Sequence, residues 1–480
     1  MAGKAAQRAV GSGTVDLTQG PLFKNIIKFT VPVILTGILQ LLFNAADIVV
    51  IGRYGSDTAL AAVSATGALI NLIVNLLVGL SVGAGVCVAR CFGSRDDRGQ
   101  HEVVHTSMLV AGVGGVVFGL IGFFFARIFL VWMSTPDNVI DQASTYVRIY
   151  FIGVPFSIVY NFGAAILRSV GNTKRPLLFL VIAGVINVAF NLVFVIVLNM
   201  DVAGVAWATA ISQFVSCILV VAHLLRVKGA HRLQISKLRI YGDKLKQVLV
   251  VGLPAGIQGS LFSISNVLIQ SSVNGFGDIA MSGNGVAANI EGFVFTSMNS
   301  FHQTALNFTG QHVGAKKQDR IKVITGICVA CVSVVGLVMG VGAFLLGKPL
   351  IGIYEPGRDD VVAYGIMRMS IISTTYFICG IMDVFSGTLR GMGKSISSMI
   401  ITLLCVCGIR VVWIYTVFEA NKTLTTLYLS YPISWAICVV AQLILFIFAY
   451  KQMIKRARIS EMLSAEVRGE AEESAESCKE

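Results

Sequence analysis

Asp47 lies in the run LLFNAADIVVIG, an apolar stretch with no basic residue adjacent to it. A charged side chain deep in a bilayer costs at least ~2.5 kcal/mol on insertion scales, so a carboxylate there needs a reason. It either holds a cation or proton on the inner face of a helix bundle, or it neutralises a distant Arg. Asn44 sits one turn earlier on the same helix face. Asn187 and Asn191, in VINVAFNLVFV, are spaced i, i+4 and project from one face of another helix. Their amide carbonyls can ligate a hard cation such as Na⁺, which prefers oxygen, or can bond neighbouring helices. Asn161 faces the same choice. Thr209, in GVAWATAIS, offers a hydroxyl oxygen or simply a small side chain that permits close packing.

The second half of the chain carries two further acids inside apolar runs, Glu291 in NIEGFVFTSM and Asp383 in GIMDVFSGTLRG. Each can bind a proton or a cationic substrate, or neutralise Arg410 or another cation. Arg168 and Arg390 end apolar runs and are expected to snorkel to the interface. Pro32, Pro155 and Pro254 fall within apolar runs, where they kink a helix or free a carbonyl. Cys328 and Cys331 form a CxxC, but inside ITGICVACVSVVG, where packing is the better reading than a metal or redox pair.

The elements that position these groups follow from composition. The 480 residues are 55% hydrophobic and only 13% charged, with a mean hydropathy of +0.79. A soluble domain carries about 25% charged residues, so most of this surface faces something other than water. Twelve apolar segments are long enough to span a bilayer as helices: 24–52, 59–89, 102–132, 139–167, 175–198, 204–226, 247–274, 280–312, 322–352, 361–389, 396–418 and 425–450. The first begins after a polar arm and has no small-residue cleavage site, so a retained helix is expected rather than a signal peptide. The fold class is therefore an all-α integral membrane protein.

The net charge of +12 is distributed by loop. One set of loops holds Arg95, Arg98, Lys174, Arg175, Arg226, Lys228, Arg232, Lys237, Arg239, Lys316, Lys317, Arg320 and Lys394, and the termini add Lys4, Arg8, Lys24, Lys451, Lys455 and Arg456; the opposite loops hold mainly Arg53, Lys348, Arg358 and Lys422. The positive-inside rule places both termini in the cytoplasm. No aromatic-interleaved basic surface suggests nucleic acid. The expected division is an N-terminal arm (1–20), an N-lobe of helices 1–6 (21–226), a basic inter-lobe linker (227–246), a C-lobe of helices 7–12 (247–455) and a disordered acidic tail (456–480).

The chain also repeats itself. Pro32 in FTVPVILTG answers Pro254 in VGLPAGIQG (254 − 32 = 222). At the same offset Gly55 answers Gly277, LRSVGN answers LRGMGK, and Ser212 answers Ser434; Asp383 is the counterpart of Asn161. An even number of helices per repeat makes the two halves parallel, related by an axis along the membrane normal. Two such lobes favour a central cavity that alternates between the two sides. No nucleotide-binding P-loop is present, so transport would draw on an ion gradient. The six histidines form no cluster with acids, so an enzyme is not expected.

In order and spacing, several runs resemble the multidrug and toxic-compound extrusion (MATE) family: NAADIVVIGRYGSDTALAAVS, GLSVGAGVCVARCFGSRD, FTGQHVGAKK, SGTLRGMGKS and, most specifically, VINVAFNLVFVIVLNMDVAGVAWATAISQ. The resemblance covers roughly residues 20–455. It implies two six-helix bundles forming a V, and export of amphipathic, mostly cationic small molecules coupled to Na⁺ or H⁺ entry, with no other cofactor. The absence of a targeting segment and the compact loops suit a bacterial inner membrane, and a monomer is expected. The family's amino-lobe cation site maps onto Asp47, Asn187, Asn191 and Thr209. Asn191 stands where members often carry Asp, which leaves one formal carboxylate and makes a one-proton cycle at Asp47 comparable with Na⁺ binding. The alternative is a lipid-linked oligosaccharide flippase of a related two-lobed fold, whose cavity should be basic.

Overall fold

A computed structural model describes residues 14–477 except Asp57 and Ser134. Residues 1–13 of the expected arm and 478–480 of the tail lie outside the described residues. The described residues form twelve long helices. The first lobe contains α1 (Leu22–Tyr54), α2 (Ala59–Ser94), α3 (Asp97–Trp132), α4 (Asp137–Ser169), α5 (Lys174–Val197, its last turn a π-helix) and α6 (Asp201–Arg226). The second contains α7 (Gly242–Asn274), α8 (Asp278–Gly314), α9 (Asp319–Leu345), α10 (Asp359–Gly391), α11 (Ser395–Phe418) and α12 (Leu424–Ser477).

In hydrocarbon every backbone group must be satisfied within the element, which makes helix the only open choice for these runs. The ends are set by local chemistry. Seven helices, α3, α4 and α6–α10, place an Asp in the first turn against the partial positive charge of the helix start. Asp96 caps α3 by accepting from the Gly99 amide at 2.8 Å. Gly171 and Gly393 follow α4 and α10 with φ of 82° and 84°, so the repeat extends to the backbone conformation of equivalent turns.

Eleven of the twelve helices are long and apolar enough to cross a bilayer. The exception, α8, has 37 residues but buries Asn284, Glu291, His302, Asn307, Gln311 and His312 inside the protein. Apolar side chains such as Phe124, Trp132, Val197 and Phe448 stay exposed instead, on surfaces that suit lipid. Two expectations need correcting. The ninth span stops at Leu345 and a separate short helix, Gly347–Tyr354, completes the run. The acidic tail, expected to be disordered, continues α12 to Ser477; it is rich in Glu, Ala and other strong helix formers and contains no Pro.

Each lobe has its own core. Val147, Phe151 and Phe162 anchor the first, and Tyr428, Met382 and Trp435 the second. A third cluster joins the lobes, with Phe29 of α1 edge-on to Phe308 of α8 at 5.6 Å between ring centres. The backbones of α2 and α7 also approach closely. Gly79 and Gly83 face Gly252 and Gly256, and a Cβ at Gly79 would overlap the Gly256 backbone. Two glycines four apart on each helix are the small-residue stripe that lets membrane helices touch. These contacts involve the halves of α2, α7 and α8 nearer the basic loops, so the lobes are closed together on the basic side.

Candidate functional site

Asp47 sits in the half of α1 away from the basic side. Asn187 and Asn191 reach it from the end of α5, and Thr209 from the third turn of α6. The Asn191 amide donates to Asp47 Oδ1, and the Thr209 hydroxyl donates to Oδ2 at 3.3 Å. Asn187 donates to Thr209 Oγ1 at 3.4 Å and accepts from Asn191 at 3.3 Å. The four expected residues thus form one connected cluster. Asn187 and Asn191 are buried, and among the described residues Asn191 Oδ1 has no hydrogen-bond partner. Among the described residues no Lys or Arg forms an ion pair with Asp47.

Chemically the cluster is one carboxylate, two amides and a hydroxyl, an oxygen set suited to a small hard cation or to a carried proton. Asn161 does not join the cluster. Its amide donates to the Ser157 carbonyl at 2.8 Å, and it lines a small cavity between α2 and α4. Asn44 is exposed.

The second-lobe acids have different settings. Glu291 is fully buried and paired with Arg368 of α10 at 2.7 Å. Arg368 also donates to Asn284 at 2.7 Å, and Ser373 donates to Glu291 at 3.4 Å. Tyr428 completes the network through Asn284. Arg368 was missed, although a lone Arg inside the run MRMSII has the same need for a partner that singles out Asp47. Asp383 makes no ion pair among the described residues; its Oδ2 is buried without a partner, in the field of Arg390. Arg390 is itself buried and donates to Gln258 at 2.8 Å, so it does not snorkel as expected.

The repeat gives the N-lobe cluster a counterpart. Tyr431 stands 222 residues after Thr209 and Ser434 the same distance after Ser212, while Arg410 falls within one residue of the equivalent of Asn187. The Arg410 guanidinium lies over the Tyr431 ring at 4.1 Å and donates to Ser434 at 3.2 Å. A built-in cation therefore occupies the C-lobe counterpart of the oxygen cluster.

The MatE family model matches the chain twice, over residues 32–193 and 254–416, once in each half; the first match includes Asp47, Asn187 and Asn191 and the second Arg410. The chain belongs to the MATE family of efflux transporters. It is 26% identical over 454 residues to the probable multidrug resistance protein YoeA of Bacillus subtilis (strain 168), covering 92% of this chain and 96% of that one. It is 22% identical over 441 residues to the multidrug export protein MepA of Staphylococcus saprophyticus, covering 92% and 97%. A MATE transporter solved in an outward-facing conformation superposes with a TM-score of 0.86 at 20% identity, over 92% of this chain and 99% of that one. At that identity the superposition speaks for the fold alone. The MATE membership matches the family expected from the sequence motifs.

Proposed function

We propose that this MATE transporter is a cation-coupled antiporter that exports amphipathic, mostly cationic compounds, with Asp47 as the group where Na⁺ or H⁺ entry is coupled. The observation that carries this reading is the Asp47 cluster. A carboxylate in a spanning helix is held by Asn191 and Thr209, with no ion pair among the described residues and an unused Asn191 oxygen beside it. That arrangement argues against a merely structural carboxylate, which would sit beside an Arg as Glu291 does. The names of the bacterial relatives support small-molecule export. The loop charges support an orientation with the basic side and both termini in the cytoplasm of a bacterial plasma (inner) membrane.

Coupling follows from competition for one negative field. A cation or proton at Asp47 and a cationic substrate in the cavity both draw on the same carboxylate, so binding one disfavours the other. If the empty carrier reorients slowly, this negative coupling produces exchange. Neutralising Asp47 loosens its hold on α5 and α6, and repacking of α1 near Pro32 then releases substrate. Asn161 and Asp383 are kept as secondary candidates, Asp383 because its buried Oδ2 lacks a partner.

The test is dye-cation efflux from reconstituted vesicles under imposed Na⁺ or proton gradients, comparing wild type with Asp47→Asn. Gradient-driven efflux that disappears in the variant is expected, and the effective gradient names the ion. Equal efflux by the two proteins would remove Asp47 from the mechanism. No efflux under either gradient, from folded protein, would turn the reading towards a flippase.

A further inference from the structure

Where the linker meets α7, a cavity of about 710 Å³ opens on the basic side between α3 and α7. Its charged lining is Arg98 and Glu102 from α3, Arg239 from the linker, and Asp243, Lys244 and Lys246 from α7. Glu102 is already committed, at 3.0 Å from Arg98 and 3.9 Å from Lys244. Among the described residues no carboxylate pairs with Arg239 or Lys246, so the cavity holds excess positive charge. We propose that this cavity binds the phosphate of an anionic phospholipid headgroup and that the bound lipid steadies the closed basic side. The inference rests on the proposed orientation but not on coupling at Asp47.

Three further features support a lipid. The wall is fixed: Thr106 of α3 donates to the Arg239 carbonyl at 3.4 Å and accepts from the Tyr241 amide at 3.1 Å. The Gln234 amide also donates to His105 Nε2 at 3.0 Å. A fixed linker backbone lowers the ordering cost of presenting Arg239. Next to them Ile235 and Ile240 are 65% and 50% exposed on the same linker. Apolar side chains beside a basic pocket at the end of spanning helices suit an acyl chain below and a headgroup above, whereas free phosphate has no use for them. Finally, α3 belongs to one lobe and α7 to the other, so the Glu102–Lys244 pair crosses the seam. An anion shared by Arg98, Arg239 and Lys246 would add bonds across that seam only while it is shut.

The experiment is native mass spectrometry and thermal melting of the full-length protein with phosphatidylglycerol or phosphatidylcholine. Wild type is expected to retain phosphatidylglycerol preferentially, and the Arg239→Gln/Lys246→Gln double variant to bind it roughly tenfold or more weakly, at about 1 kcal/mol per basic residue near the membrane surface. The charge-keeping Arg239→Lys/Lys246→Arg variant should bind as wild type does, and melting in phosphatidylcholine checks that both variants fold. Equal retention of the two lipids by wild type, or undiminished binding by the Gln variant, overturns the proposal. Displacement of the lipid by millimolar inorganic phosphate also overturns it, because the pocket would then read the free anion. A dye-efflux failure with lipid selectivity intact would count against the coupling reading alone.

Discussion

The Arg90 guanidinium of α2 donates across the lobe boundary to the Gly391 carbonyl at the end of α10, at 2.8 Å. Its counterpart runs the other way: Gln311 of α8 donates to the Ser169 carbonyl at the end of α4, at 2.7 Å. Ser169 and Gly391 are 222 residues apart, so the second long helix of each lobe caps the fourth helix of the other lobe at equivalent positions. These carbonyls are among the four left unpaired at any helix end. Both bonds lie on the basic side, where the lobes are shut.

The first prediction follows from that pair. A hydrogen bond from a charged donor is worth about 1.5–3 kcal/mol, so Arg90→Ala should shift the closed-to-open ratio on the basic side by roughly ten- to a hundredfold. Gln311→Ala, which removes a neutral donor, should shift it less. Spin-label distances between the basic-side ends of α2 and α8 would read the change. Unchanged distance distributions in Arg90→Ala would mean that glycine packing alone holds the seam.

The limits of the sequence reading follow from what kind of signal each group leaves. Asp47, Asn187, Asn191 and Thr209 were legible because polarity is costly in hydrocarbon and i, i+4 spacing fixes a face. The repeat was legible because glycines at helix ends, such as Gly171 and Gly393, mark backbone needs that two lobes share. Partnership was not legible. Glu291 and Arg368 come from different helices 77 positions apart, and nothing in local spacing brings them together. Asn161 stands apart from the Asp47 cluster for a local reason, because its amide donates to the carbonyl of its own preceding turn. The tail misled because high charge suggests disorder while the same Glu and Ala residues favour helix.

The second prediction separates the acids by role. Removing one member of a buried ion pair leaves an uncompensated charge and costs roughly 3–5 kcal/mol. Glu291→Gln should therefore melt well below wild type, and adding Arg368→Met should recover much of the loss. Asp47→Asn should melt near wild type, because it strands no opposite charge. A Glu291→Gln protein that melts normally yet fails to transport would make Glu291 a substrate-binding acid instead.

A third prediction concerns the linker between the lobes. His231 is buried there, and that burial, with the nearby His223 adding to it, pushes its imidazole down to about 4. The unfolded chain takes up a proton near pH 6.5, whereas the folded chain refuses it until about pH 4. The unfolded state therefore binds more protons in this window, and stability is lost as pH falls from 6.5 towards 4, at up to about 1.4 kcal/mol per unit. Melting scans between pH 7 and pH 4.5 should show a slope that His231→Gln flattens. Identical slopes in the two proteins would assign the acid sensitivity elsewhere.

The last prediction tests why Asn191 is an amide. Its nitrogen donates to Asp47, so an amide here supports a single negative charge. Asn191→Asp would place a second carboxylate against the first. Two unit charges about 4 Å apart interact by about 4 kcal/mol at an effective dielectric of 20, unfavourably when the site is empty and favourably for a cation between them. The variant should therefore be less stable than wild type without Na⁺ and should gain more from it, with Na⁺ bound roughly tenfold or more tightly. Melting temperature against Na⁺, with choline at matched ionic strength, measures this directly. A wild type insensitive to Na⁺ beside a responsive variant would favour a proton as the native coupling ion. Equal sensitivity in both would mean that the Asn191 side chain does not face the ion, and the proposed oxygen set would lose one of its members.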